Sequence, residues 1–104
     1  MLDSVMLWNE PNNKSHWMFE IDPEWQAFAQ MIVHASDCIR SLRPQLPQVL
    51  GGMSPIDPNF VRLMRSLGVV DRMDALAVHG FPLDWNHWQL NDWPEKLREI
   101  KAAA

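Results

Sequence analysis

Val5-Met6-Leu7-Trp8-Asn9-Glu10-Pro11-Asn12 is an apolar run that breaks off into a polar loop carrying a carboxylate. Val5 to Trp8 suit a buried strand, and Pro11, which has no N–H for a ladder, stops it. Glu10 therefore falls at the carboxyl end of a strand. In parallel α/β folds that is the edge where ligands bind and chemistry happens. Strict alternation would send Asn9 and Glu10 to opposite faces, so both serve one site only where the chain bulges or turns. The plainer alternative makes Glu10 and Asn12 solvated loop residues behind a core strand.

Downstream, the same pattern recurs twice. Residues 12–21 form a long mixed loop that either shapes a cleft or packs Trp17 and Phe19 on the next helix. Asp22-Pro23 reads as an N-cap followed by the first helical residue. Trp25, Phe28, Ile32, Ala35, Ile39 and Leu42 then continue as one helical stripe, which must end near Arg43 because Pro44 follows. His34 and Asp37 share that helix and could bind a metal, but two ligands at helical spacing are weak evidence, and a solvated pair is the plainer reading. Gln48 to Met53 reads as a second strand. Its paired glycines, Gly51 and Gly52, allow close backbone approach without completing any phosphate-binding fingerprint. Asp57-Pro58 repeats the cap device before a helix marked by Phe60, Leu63, Met64 and Leu67, with Gly68 placed to end it. Ala75 to Val78 is an apolar run expected to be buried on both faces, and it ends in His79. A Trp-rich loop follows, and Asp92 with Pro94 opens a last helix whose Leu97 and Ile100 face inward.

The expected fold class is thus α/β: three consecutive β-α units with parallel strands, at residues 5–43, 48–68 and 74–104. The loops after the strands carry more functional side chains than those after the helices, as in a barrel with its site on one face.

The 104 residues suffice for one small domain, but a whole (β/α)8 barrel takes about 250. A net charge of −4 argues against nucleic acid or an anionic membrane as a partner. No apolar run approaches the roughly 18 residues of a membrane span, and no signal peptide is visible, so the default expectation is cytoplasmic. Cys38 stands alone and is expected to be a small buried hydrophobe. Six Trp and no Tyr supply rings for stacking on sugars or for filling a core, and the count favours neither.

Trp8-Asn9-Glu10-Pro11-Asn12 resembles the acid/base signature that ends the fourth strand in the clan of retaining glycoside hydrolases built on (β/α)8 barrels. The resemblance implies that Glu10 is the general acid/base and that Asn9 contacts the sugar 2-hydroxyl. His79-Gly80-Phe81-Pro82 resembles the end of the sixth strand in xylosidase-type members. By that likeness His79 lines the sugar site, and Trp85 or Trp88 forms a substrate wall. The chain would then be strands four to six of a partial TIM barrel, with helices four to six. It departs from the clan in having Phe81 where many members place a Tyr, and in stopping before the seventh strand, which carries the nucleophilic Glu.

Retaining hydrolysis needs two carboxyl groups about 5–5.5 Å apart. Glu10 must hold a proton before attack, so its pKa is expected to be raised by burial or by the second carboxylate. Without that partner the chain by itself is expected to be inactive. Asp84 would pair with Glu10 only for an inverting mechanism, at about 6.5–9.5 Å. Two open sheet edges predict aggregation, a loose state or self-association. The chemistry calls for a carbohydrate substrate and for no metal or organic cofactor. The competing expectation is a non-catalytic sugar-binding or interaction module built on Trp17, Trp85 and Trp88.

Overall fold

The computed structural model describes residues 2–80 and 88–104. Three parallel strands, β1 (Val5–Leu7), β2 (Gln48–Met53) and β3 (Ala75–Val78), form one open sheet in the order β1-β2-β3. Between them run α1 (Gln26–Leu42) and α2 (Pro58–Ser66), and α3 (Trp93–Ala103) follows β3. Leu7 pairs with Leu50, and Leu50 with Leu76, so these three share one sheet face by alternation. Leu7 and Leu50 join a single buried cluster with Phe28 and Ile32 of α1, Phe60, Val61 and Met64 of α2, and Ile100 of α3. Met6 lies on the other face, half exposed, with its thioether resting on Gly51.

The second helix begins and ends as its sequence predicts. The Asp57 carboxylate accepts from Asn59 N–H at 2.9 Å, Pro58 takes the first helical position, and Gly68 turns the chain at φ 75°. Behind it, Val69 N–H donates to Met64 O and Gly68 N–H to Arg65 O, which closes the helix in a Schellman motif.

The first helix departs from expectation. Asp22 is not its N-cap, and Pro23 is not its first residue. Residues 22–25 make a separate turn, closed by Trp25 N–H on Asp22 O, and Trp25 itself takes φ 60° at the cap. The Asp22 carboxylate reaches past that turn to accept from Ala27 N–H at 3.1 Å, Phe28 N–H at 2.9 Å and the Trp17 indole at 3.2 Å. It thus caps the helix from outside and ties the 12–21 loop to it. Trp25 is held in its left-handed conformation by Phe19, Phe28 and Phe60, whose rings lie about it at 5.0, 5.4 and 4.8 Å.

Four further expectations are corrected. Cys38 is exposed, because it lies about 120° round the helix from Ile32. Leu42 is exposed at the last helical residue. Seventeen residues span about 25 Å of helix, which outruns strands of six residues or fewer. β3 is only partly buried, since it is a sheet edge and the face opposite the helices is open. In α3, Ile100 is buried while Leu97 is exposed.

Burial opposes the charge on Asp22, but the backbone amides of Phe28, Ala27 and Gln26 and the Trp17 indole outweigh it and hold the carboxyl below its usual value. A carboxyl whose folded pKa is depressed contributes stability that is complete above the ordinary Asp value and lost as pH falls through the lower, folded value. Asp22→Ala should therefore lower the unfolding free energy by about 1–3 kcal/mol at neutral pH. In urea titrations across the acid range, the difference from the parent chain should shrink toward the lowest pH.

Candidate functional site

Three loops meet at the carboxyl edge of the sheet. The first starts where β1 ends at Leu7. Trp8 takes φ 68° and Glu10 takes φ 46°, both in the left-handed region that bulky side chains rarely occupy. These two reversals replace strand alternation with a turn, and they bring Asn9 and Glu10 to the same side. The second loop follows β2, which carries the bulge. Between the Leu50–Leu76 and Met53–Val78 pairs, β2 has one residue more than β3, and Gly51-Gly52 absorbs it with Gly52 at φ 63°. The third follows β3 and begins with His79, whose N–H donates to Met53 O at 2.9 Å.

Gly52 is the floor on which these loops converge. A Cβ there would collide with Asn9 Oδ1 and would come within 2.9 Å of His79 Nε2. Beside it, His79 Nδ1–H donates to Glu10 Oε1 at 2.7 Å. An ionised carboxylate only accepts, so this bond places the imidazole proton on Nδ1. Asn13 Nδ2 donates to Glu10 Oε2 at 2.9 Å, and His16 Nδ1 stands 3.6 Å from the same oxygen. Asn12 fastens the first loop to the second: Ser54 N–H donates to its Oδ1 at 2.9 Å, and its Nδ2 donates to Pro55 O at 2.7 Å. Ring atoms of Trp93 fill the space that a side chain at Gly80 would need.

The Glu10 side chain is 16 % exposed. The His79 hydrogen bond, above all, pulls its carboxyl below the usual Glu range. Burial works the other way, and Asn13 adds to the lowering. This corrects the expected raised pKa: at rest Glu10 is a carboxylate held by donors, the form that takes a proton.

The structure thus brings together Asn9, Glu10 and His79, with Asn13 and His16 added from a loop that no periodicity marks. Trp88 is 8 % exposed and packs edge-on against Trp93 with ring centroids 5.6 Å apart, so it is core and offers no wall to a substrate. Trp17 packs edge-on against Phe28 at 5.1 Å, and Phe19 lies on Trp25, the second of the two arrangements open for their loop. Trp85, with Phe81 and Asp84, lies outside the described residues. Asp37 is paired with Arg72 at 3.2 Å. Among the described residues no group of three or more His, Cys, Asp or Glu is placed to hold a metal ion, and no helix is long and apolar enough to cross a membrane.

Comparison with protein-family models, with curated proteins and with solved structures finds no match to this chain. His79→Ala removes the strongest donor to Glu10. In carboxyl-region NMR titrations the Glu10 side chain should then titrate at higher pH than in the parent chain. An unchanged titration would mean that the 2.7 Å contact does not persist in solution.

Proposed function

We propose that this chain carries the acid/base half of a retaining glycoside hydrolase site, on three consecutive β-α units of a (β/α)8 barrel. The observation that supports this most is the convergence of Asn9, Glu10 and His79 around Gly52 at the carboxyl edge of a parallel sheet. The likeness of Trp8-Asn9-Glu10-Pro11-Asn12 to the clan's acid/base signature required Asn9 and Glu10 to share a side, and the backbone reversals at Trp8 and Glu10 supply that.

In this reading Glu10 protonates the glycosidic oxygen as the bond to the sugar breaks, then takes a proton from the water that completes hydrolysis. Asn9 hydrogen-bonds the sugar 2-hydroxyl over Gly52. His79 fixes the rotamer of Glu10 and lines the sugar site. The acid step needs Glu10 protonated, whereas its donors keep it ionised at rest. Two changes reverse that balance: a bound sugar that excludes water, and the negative charge of a second carboxylate about 5–5.5 Å away. The second carboxylate would come from a strand pairing with the open edge of β3. No step calls for a metal or an organic cofactor. A non-catalytic sugar-binding or interaction module built on Trp17, Trp85 and Trp88 draws less support, since the Trp17 indole N–H is engaged by Asp22 and Trp88 is packed, while Trp85 lies outside the described residues.

The test is hydrolysis of aryl β-glycosides by the protein translated from the complete reading frame that contains these residues. Leaving groups that depart unaided do not need the acid. Glu10→Gln should lower kcat/KM by about 10²–10⁴ for a poorly leaving phenol, and far less for a dinitrophenol. Equal losses for both, or none, would remove Glu10 from the acid role.

A further inference from the structure

Asn13 is bonded through its backbone and through both ends of its side chain. Its N–H donates to Glu10 O at 2.9 Å, and its backbone oxygen accepts from His16 N–H at 2.8 Å and Trp17 N–H at 3.2 Å. Its side-chain oxygen accepts from Ser15 N–H at 3.1 Å and from the Ser15 hydroxyl at 2.8 Å. Its side-chain nitrogen donates to Glu10 Oε2 at 2.9 Å. Turning the amide over would set its nitrogen against the Ser15 backbone donor and its oxygen against an ionised carboxylate. Both contacts would be repulsive, so the amide has one orientation.

The same proton count extends outward from Asn13. Asn13 Oδ1 can only accept, so the single Ser15 hydroxyl proton points at it. Toward His16 Nδ1, 2.9 Å away, Ser15 Oγ then offers a lone pair, and the imidazole proton must sit on Nδ1. His16 therefore donates to Ser15, Ser15 to Asn13, and Asn13 to Glu10, every bond directed toward the carboxylate. Bonds aligned in this way polarise one another. The His16 side chain is 39 % exposed and the Glu10 side chain 16 %, so the series starts in water and ends on a mostly buried charge.

Among the described residues, two titratable groups face Glu10. The 12–21 loop supplies His16, 3.6 Å from Oε2, and the loop after β3 supplies His79 on Oε1. Gly51-Gly52 of β2 brings no charge, and Lys14 is paired with Glu20 at 2.8 Å. Both histidines change charge with pH. The Asn13 amide does not, so it donates to Oε2 at every pH.

We propose that Asn13, locked by Ser15 and His16, is a positioning residue that sets the highest pH at which Glu10 works as an acid. The proposal rests on the acid/base reading of Glu10. In the acid step the second carboxylate bonds the anomeric carbon and the bond to the glycosidic oxygen breaks. That oxygen keeps the electron pair and takes the Glu10 proton. A donor fixed on Oε2 favours the ionised form of Glu10, so it draws the alkaline limit of activity to lower pH.

Two measurements on this chain test the turn. In alkaline solution a long-range ¹H–¹⁵N correlation spectrum should show His16 as the Nδ1–H tautomer. In carboxyl-region titrations Glu10 should titrate at higher pH in Asn13→Ala, and higher still in Asn13→Asp. The latter keeps the acceptor for Ser15 and sets a second negative charge against Oε2. In the protein translated from the complete reading frame, the alkaline limb of kcat/KM for a poorly leaving phenol should move to higher pH in the same order. Hydrolysis of a dinitrophenyl glycoside, which needs no acid, should keep its profile. A merely structural role would lower both activities and leave the limb in place. His16 as the Nε2–H tautomer, a Glu10 titration that neither variant raises, or an unmoved limb would overturn the proposal. The tautomer and the titrations judge the turn, whereas the leaving-group dependence of Glu10→Gln judges the acid, so the two claims fail separately.

Discussion

The carboxyl edge of this sheet depends on the absence of a side chain at Gly52. β1 and β3 are separated by β2, and their loops can touch only by passing over it. The extra residue in β2 is absorbed at Gly51-Gly52, and the positive φ of Gly52 points its missing Cβ at Asn9 and His79. With that space open, Glu10 of the first loop reaches His79 of the third at 2.7 Å. Any larger residue would have to displace one of the two, on top of the backbone strain it would carry. The Asn12 bridge to Ser54 and Pro55 and the bond from His79 N–H to Met53 O then hold the three loops in register.

Strain and charge follow from the same arrangement. Trp8 and Glu10 both adopt left-handed backbone conformations, and between them they turn the chain so that one side of it faces Gly52 and the other carries the Trp8 indole outward. Glu10 is left mostly buried, with two donors that favour its ionised form. A carboxylate so placed is a weaker base than a free one, and its affinity for a proton rises only when a ligand or a second charge alters its surroundings. The strain is kept by the core beneath it: Trp8 leans on Trp17 and Phe28, and Phe28 is fully buried among the helices.

Much of the fold could be read from local chemistry. Asp57-Pro58 and Gly68 each specify an element boundary through backbone constraints that act over a few residues. β1 instead ends at Leu7, short of the expected Trp8 and ahead of Pro11, because Trp8 turns the chain at φ 68°. The meeting of Asn9 with Glu10 was legible as a requirement, and the glycine pair as a place of close approach. What escaped depends on contacts far apart in sequence. Asp22 caps α1 from beyond an intervening turn because Trp17 and the ring cluster around Trp25 hold it there, which no cap pattern encodes. Asn13 and His16 approach Glu10 from a loop without periodicity. Trp88 looked like a substrate wall and is instead packed on Trp93, since a large ring in a loop reads the same whether it faces solvent or core. The depressed pKa of Glu10 likewise depends on a donor 69 residues away.

The central claim is that the ends of β1 and β3 are joined through Glu10 and His79. The most direct test is a long-range ¹H–¹⁵N correlation spectrum of the His79 ring in alkaline solution, where an imidazole is neutral and one tautomer must prevail. Donation to the Glu10 carboxylate predicts the Nδ1–H form, although free histidine in water prefers Nε2–H. Finding His79 as the Nε2–H tautomer would mean that Glu10 accepts nothing from it, and the site as described would not exist.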